Sequence, residues 1–257
     1  MLSGRDFTLE KYAALCEAIT TSGYTSLTFR DYLSLPETLP RVVLVRHDVD
    51  DHIRFVPAIA RIDHQHGIHA TYYFRMTGRV FVPEVIDAVS ALGHEIGYHY
   101  ETMDRARGDI PEAIRLFGTE LARFRERYDV KTACMHGNPL SPYDNRKIWE
   151  QATPAQFGLL GEPYLSLDYS QIAYFSDTGR NWSGRYKVKD VVSSIRGADG
   201  IESTDDLIAA VRSHRYNCMS ILVHPARWTG TLPDYLSRYL LDLVHDAGKR
   251  WILRRPR

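Results

Sequence analysis

Three short strings place titratable side chains where a folded chain could bring them together. Asp48 and Asp50 stand two residues apart at the end of the apolar run Arg41 to His47, with Asp51 beside them. In extended backbone, residues two apart project to the same side, so both carboxylates can share one proton or one cation. One can then ligate a metal while the other serves as a general base. The competing reading is helix capping, which Asp favours. Three acidic residues directly after an apolar run put function ahead of capping.

His99 closes the string His94-Glu95-Ile96-Gly97-Tyr98-His99, with Glu101 two residues on. A neutral imidazole there can bind a divalent cation beside a carboxylate. His224 follows Met219-Ser220-Ile221-Leu222-Val223 and precedes Pro225. An imidazole, with its ordinary pKa near neutrality, suits proton transfer at such a place. Taken singly, each histidine reads as a buried, hydrogen-bonded side chain. What singles them out is recurrence, because His, Asp or Arg ends one apolar run after another: Asp48/Asp50/Asp51, Arg75, His99/Glu101, His136/Asn138, Asp177/Arg180 and His224/Arg227.

Those runs are the elements that must position the site. Thr8 to Thr20 carries Leu9, Tyr12, Leu15, Cys16 and Ile19 at helical spacing, with Thr8 as N-cap. The run from Arg41 to His47 does not alternate and reads as a strand buried on both faces. Helical spacing then joins Phe55, Ile59, Ile62 and His66 and stops at Gly67. His69 to Phe74 is a second strand, and a helix carrying Val85, Val89 and Leu92 stops at Gly93. His94 to His99 is a third strand, before a long helix with Ile114, Phe117, Leu121, Phe124 and Tyr128 on one face. Val130 to Met135 is a fourth. Between Asn145 and Asp190 the pattern is less regular, with Phe157 to Leu160 and Gln171 to Phe175 as short strand candidates. A helix over Asp205 to Arg212, a strand from Met219 to Val223, a helix with Leu236, Leu240 and Val244, and a strand Trp251 to Leu253 complete the series.

Repeated strand-helix units predict a parallel α/β sheet, either a (β/α) barrel or an open doubly wound sheet. In both, side chains at the carboxyl ends of the strands make the site. No linker or repeat divides the 257 residues, so they read as one domain, with residues 1–40 as a helical extension packed on it. The 32 Lys+Arg balance 32 Asp+Glu, which disfavours nucleic acid and anionic membranes as partners. No apolar run approaches a membrane span, and the start lacks a signal peptide's apolar stretch, so a cytoplasmic location is expected. Three scattered cysteines exclude a disulfide framework or a thiolate zinc site of the usual spacing.

Arg46-His47-Asp48-Val49-Asp50-Asp51, then His94-Glu95-Ile96-Gly97-Tyr98-His99, then Ile221-Leu222-Val223-His224-Pro225 resemble, in that order, the polysaccharide deacetylase family (NodB homology domain, carbohydrate esterase family 4). The resemblance spans roughly residues 40 to 230. It implies a distorted (β/α) barrel of about seven parallel strands, a divalent metal ion, zinc in many members, and removal of an acetyl group from an N-acetylated sugar. It matches Asp48 to the base carboxylate, Asp50 to the metal aspartate, His99 to the first metal histidine and His224 to the late catalytic histidine. Asp177 matches an aspartate that orients His224, and Trp182 a wall of the sugar pocket.

Two departures accompany it. The family's second metal histidine falls on Met103, and the arginine that orients the base is absent from Met135-His136-Gly137-Asn138-Pro139. His136 is the favoured third ligand, ahead of Asp104, Glu101 and His94. Tyr98, Tyr100, Trp182 and Trp228 are candidate ring faces for sugar. Asn138, Arg180 and Arg227 are candidate substrate contacts, the arginines toward phosphate or acidic sugar. The expected partner is an N-acetylated sugar or a nucleotide- or lipid-linked polysaccharide precursor. The alternatives are a degenerate barrel that binds carbohydrate without turnover, and a metal-dependent phosphoesterase.

Overall fold

The structure, a computed structural model, describes residues 4–36, 39–138, 141–182 and 200–241. Its sheet holds seven parallel strands: β1 (Thr25–Ser26), β2 (Val42–Val49), β3 (Ala70–Phe74), β4 (Glu95–Tyr100), β5 (Ala133–Met135), β6 (Ala173–Ser176) and β7 (Cys218–Val223). They lie in the order β5-β4-β3-β2-β7-β6, and β1 pairs with Val42 and Val43 at the start of β2. Read as a ring, this order is sequential with one break, between β5 and β6. The sheet curls into a half-barrel, in agreement with the expected distorted barrel.

Around it stand α1 (Leu9–Thr21), α2 (Phe29–Leu33), α3 (Val56–Gln65), α4 (Pro83–Ala91), α5 (Thr102–Arg105), α6 (Ile110–Arg125), α7 (Pro163–Ser166) and α8 (Thr204–Arg212). Local signals set their ends. The Thr8 side chain accepts from the Lys11 amide at the head of α1, and Asp109 accepts from the Glu112 amide at the head of α6. Gly67 and Gly93, at φ +69° and +84°, take the left-handed turns that follow α3 and α4.

Every residue of β2 to β5 is buried, because both faces of the sheet are covered. On the convex face Val43, Val45, Tyr72, Phe74, Tyr98 and Tyr100 belong to the large core shared with α1, α3, α4, α6 and α8. On the concave face Leu44, Leu222 and Tyr174 pack with Phe29, Leu167 and Tyr169 in a smaller cluster. Burying an aliphatic or aromatic side chain contributes roughly 1.5–3 kcal/mol, so the convex core supplies most of the stability.

Three sequence expectations are corrected. Phe157 to Leu160 is not a strand: Pro154–Phe157 is a 3-10 turn, and Gly158 follows at φ +63°. Within the segment read as a helical extension, Thr25 and Ser26 join the sheet. The strand expected over Arg41 to His47 does not stop at His47 but, as β2, runs through Asp48 to Val49. Val244 and Trp251 to Leu253 fall outside the described residues, while residues 232–241 are helical as expected.

Candidate metal and acid-base centre

Period-two alternation sorts the site. In β2, Arg46 and Asp48 point into the concave side while His47 points to the helices. In β4, Gly97 and His99 face inward and Tyr98 outward. Gly97 is required by close approach, since a Cβ there would overlap the Tyr73 ring and lie 3.3 Å from the Thr132 carbonyl. Register then places Cys134 of β5 beside His99, and His136 emerges one residue beyond that strand.

Asp50, just past β2, is where three histidines converge. Its Oδ1 is 3.1 Å from His99 Nε2 and 3.6 Å from His136 Nε2, and its Oδ2 is 3.7 Å from His224 Nε2. Each ring turns its other nitrogen to a protein oxygen. His99 Nδ1 lies 3.0 Å from the Cys134 carbonyl, His136 Nδ1 3.2 Å from Glu101 Oε2, and His224 Nδ1 2.5 Å from Asp177 Oδ1. For His99 and His224 the hydrogen-bonded Nδ1 fixes the ring and leaves Nε2 for the centre, while His136 meets Glu101 as an ion-pair contact. Arg75 completes the frame, donating to the Asp50 carbonyl at 2.8 Å and to Glu101 Oε2 at 2.6 Å.

The electrostatics follow. Burial works against the Asp50 carboxylate, but His136, His99 and His224 outweigh it and hold its pKa well below the usual range. Burial likewise opposes charge on His99, yet Asp48 and Asp50 raise its pKa. Glu101, against its own desolvation, is brought down to about 2 by His136 and Arg75. Asp177 is fully buried, and His224 and Arg227 overcome that burial to keep it ionised far into acid. It accepts from the His224 amide, from Arg227 at 2.8 Å and from Trp228 Nε1 at 2.9 Å.

Asp48 sits apart from this cluster, 3.7 Å from His99 Nε2. The fully buried Arg46 guanidinium approaches both its oxygens, at 3.0 and 3.2 Å, and donates to the Tyr164 hydroxyl at 2.8 Å. The arginine that holds Asp48 thus stands two residues before it in the same strand. Its signal was the same spacing that linked Asp48 to Asp50, hidden inside a run read as apolar. Capping is not what the acidic triplet does, because neither the 3-10 turn Ile53–Phe55 nor α3 has a side-chain cap. Asp51 is exposed and turns to His52.

Other candidates are placed elsewhere. Tyr98 has no exposed surface and donates to Glu120 of α6, so it cannot face a substrate. Sequence adjacency to His99 misled, since neighbouring strand residues point oppositely. Trp182 is equally buried, bonded to Thr204 and packed on Phe7 and Trp228. Tyr100 and Trp228 are also fully buried. Arg180 donates to the Arg227 carbonyl and lies over the Tyr235 ring, and Arg227 holds Asp177. Asn138 is half-buried near His136. Asp104 is engaged by Ser141 and Asn145, and His94 bonds the Ala60 carbonyl on the helix side. Asp104, Glu101 and His136 could still group around a cation, as could Asp48, His99 and Cys134. His47 pairs with the buried Asp63 at 2.9 Å and stacks on Tyr72, a role in the convex core.

No family model and no curated protein matches this chain. Among solved structures it is similar to a mutant of a CE4 family pseudoenzyme with restored enzymatic activity, at 14% identity over 83% of this chain and 68% of that one, with a TM-score of 0.38. A second is Escherichia coli diaminopropionate ammonia lyase in apo form, at 14% identity over 92% of this chain and 79% of that one, with a TM-score of 0.20. Likeness this remote carries no argument about chemistry. Among the described residues, no helix is long and apolar enough to cross a membrane.

Proposed function

We propose that this chain is a metal-dependent hydrolase that removes an N-acyl group, acetyl first, from an amino sugar, as its motif resemblance to the polysaccharide deacetylases implies. The observation that carries the reading is the convergence of His99 Nε2 and His136 Nε2 on Asp50, with both Nδ1 atoms turned to protein oxygens. Two imidazoles and a carboxylate are a donor set suited to a divalent cation such as zinc. Asp50, His99 and His136 would hold it. Bound there, it would act as a Lewis acid and lower the pKa of water.

The remaining residues divide the proton work. Asp48, held by Arg46 and Tyr164, takes a proton from the attacking water as general base. His224, oriented by Asp177, gives a proton to the departing sugar nitrogen, without which an amine leaves an amide poorly. Arg227 fixes Asp177, so its part is positioning. Asn138 remains a candidate substrate contact, and the expected substrate is a precursor of a surface polysaccharide.

The test is acetate release from N-acetylhexosamine derivatives. Asp48→Asn should abolish turnover and keep the cation, whereas Asp50→Ala or His99→Ala should lose the cation. Full activity in all three would refute the assignment. Phosphate release without amide hydrolysis would select a phosphoesterase instead.

A further inference from the structure

Beneath the Asp50 cluster lies a second group of ligand atoms. Asp48, His99 and Cys134 are all buried, at 5%, 1% and 0% exposure, and each offers a ligand atom within 4.8 Å of the other two. Strand register sets this group: His99 pairs with Cys134 across β4 and β5, and Asp48 reaches His99 from β2. Because His99 Nδ1 is turned to the carbonyl of Cys134 itself, the nitrogen open to a cation is Nε2. Cys134 Sγ lies 3.7 Å from the Met135 carbonyl. The buried Arg46 guanidinium lies 3.0 and 3.2 Å from the two Asp48 oxygens, so an ion bound here takes one of those oxygens in its place.

A carboxylate, an imidazole and a thiolate form a softer donor set than Asp50, His99 and His136, and soft ligands select thiophilic cations. We propose that Asp48, His99 and Cys134 make a second, deeper cation position that takes thiophilic divalent ions. On binding, the Cys134 thiol gives its proton to solvent and the sulfur lone pair goes to the ion. His99 has one Nε2 lone pair, so the deep and outer positions compete for it. Resting on the function proposed above, the consequence is inhibition: an ion in the deep position occupies Asp48 and withdraws His99 from the outer one. A harder cation such as Mn2+ prefers the outer set and leaves Asp48 to act as base.

Cadmium tests this directly, because thiolate coordination gives a sulfur-to-cadmium charge-transfer absorption that nitrogen and oxygen ligands do not. The full chain, reduced and metal-free, is titrated with Cd2+ alone. The band should appear in the parent and in Cys16→Ser and Cys218→Ser, and should vanish in Cys134→Ser. Asp48→Asn should weaken the Cd2+ affinity read from the same band at least tenfold, which guards against a Cys134 variant that fails to fold. No band in the parent, or a band that survives Cys134→Ser, overturns the deep site. In the Mn2+-loaded enzyme, Cd2+ should inhibit acetate release in the parent and need at least tenfold more metal in Cys134→Ser. Equal Cd2+ sensitivity in the two would overturn the inhibitory role. A thiolate band without acetate release under any metal would leave the deep site standing and remove the deacylase reading.

Discussion

Replacing Arg46 by Met gives the sharpest energetic test of how the proposed base is held. Arg46 has no exposed surface and Asp48 only 5%, so the ion pair at 3.0 Å is a buried one. Methionine keeps much of the side-chain length while removing the charge, the bond to Asp48 and the bond to Tyr164. The parent pair is not worth its full Coulomb energy, because both charges were desolvated on folding. Breaking it is costly for a different reason: one charge stays buried without its partner, which typically costs about 3–5 kcal/mol. The double variant Arg46→Met/Asp48→Asn removes that uncompensated charge. Its destabilisation should therefore be smaller than the sum of the two single changes by roughly 2–4 kcal/mol. Urea unfolding of the four proteins at neutral pH measures this cycle. Acetate release should fall in Arg46→Met, because the carboxylate proposed as base is no longer held in place. If Arg46→Met is as stable as the parent, or if the two changes simply add, the guanidinium does not hold Asp48.

Other expectations follow from the same geometry. Asp177→Asn should lower kcat by roughly 10²- to 10⁴-fold with little change in cation content, since His224, which Asp177 orients, is not one of the proposed cation ligands; equal loss of cation would contradict this. Glu101→Gln should weaken cation affinity about 10- to 100-fold in a calorimetric titration, because Glu101 faces the second nitrogen of His136. In the metal-free protein the Glu101 carboxylate, brought from 4.5 to about 2, contributes stability that is present above its ordinary pKa and lost as pH falls toward about 2. His99 has the opposite sign: its raised pKa contributes stability below about 6.5 that disappears as pH rises through the folded value. Urea midpoints of the metal-free protein across that range, compared with His99→Gln, read this term. Gly97→Ala should cost about 1–3 kcal/mol, because the new methyl group meets the Tyr73 ring and the Thr132 carbonyl.

Much of the frame is legible in the sequence because buried parallel strands and amphipathic helices leave strong, long patterns. The strand ends carrying Asp48, His99, His136, Asp177 and His224 stand out from residue order alone. The two-residue β1 is too short to leave a period, and the run at Phe157 is turned by Gly158. Tyr98 and Trp182 are drawn toward the site by proximity in sequence, whereas strand alternation and core packing send them away. Arg46 escapes notice for the reverse reason: a guanidinium two residues from its carboxylate looks like part of an apolar strand. The contact of Cys134 with the Asp48 and His99 group depends on β4-β5 register, which no local pattern encodes.

The most direct measurement is acetate release after the bound cations are stripped by a chelator and one divalent ion per chain is returned. Hydrolysis should disappear on stripping, return with a single equivalent in the parent, and fail to return in Asp50→Ala. Release that persists in the stripped protein, or that never occurs with the ion restored, would contradict metal-dependent deacylation at Asp50.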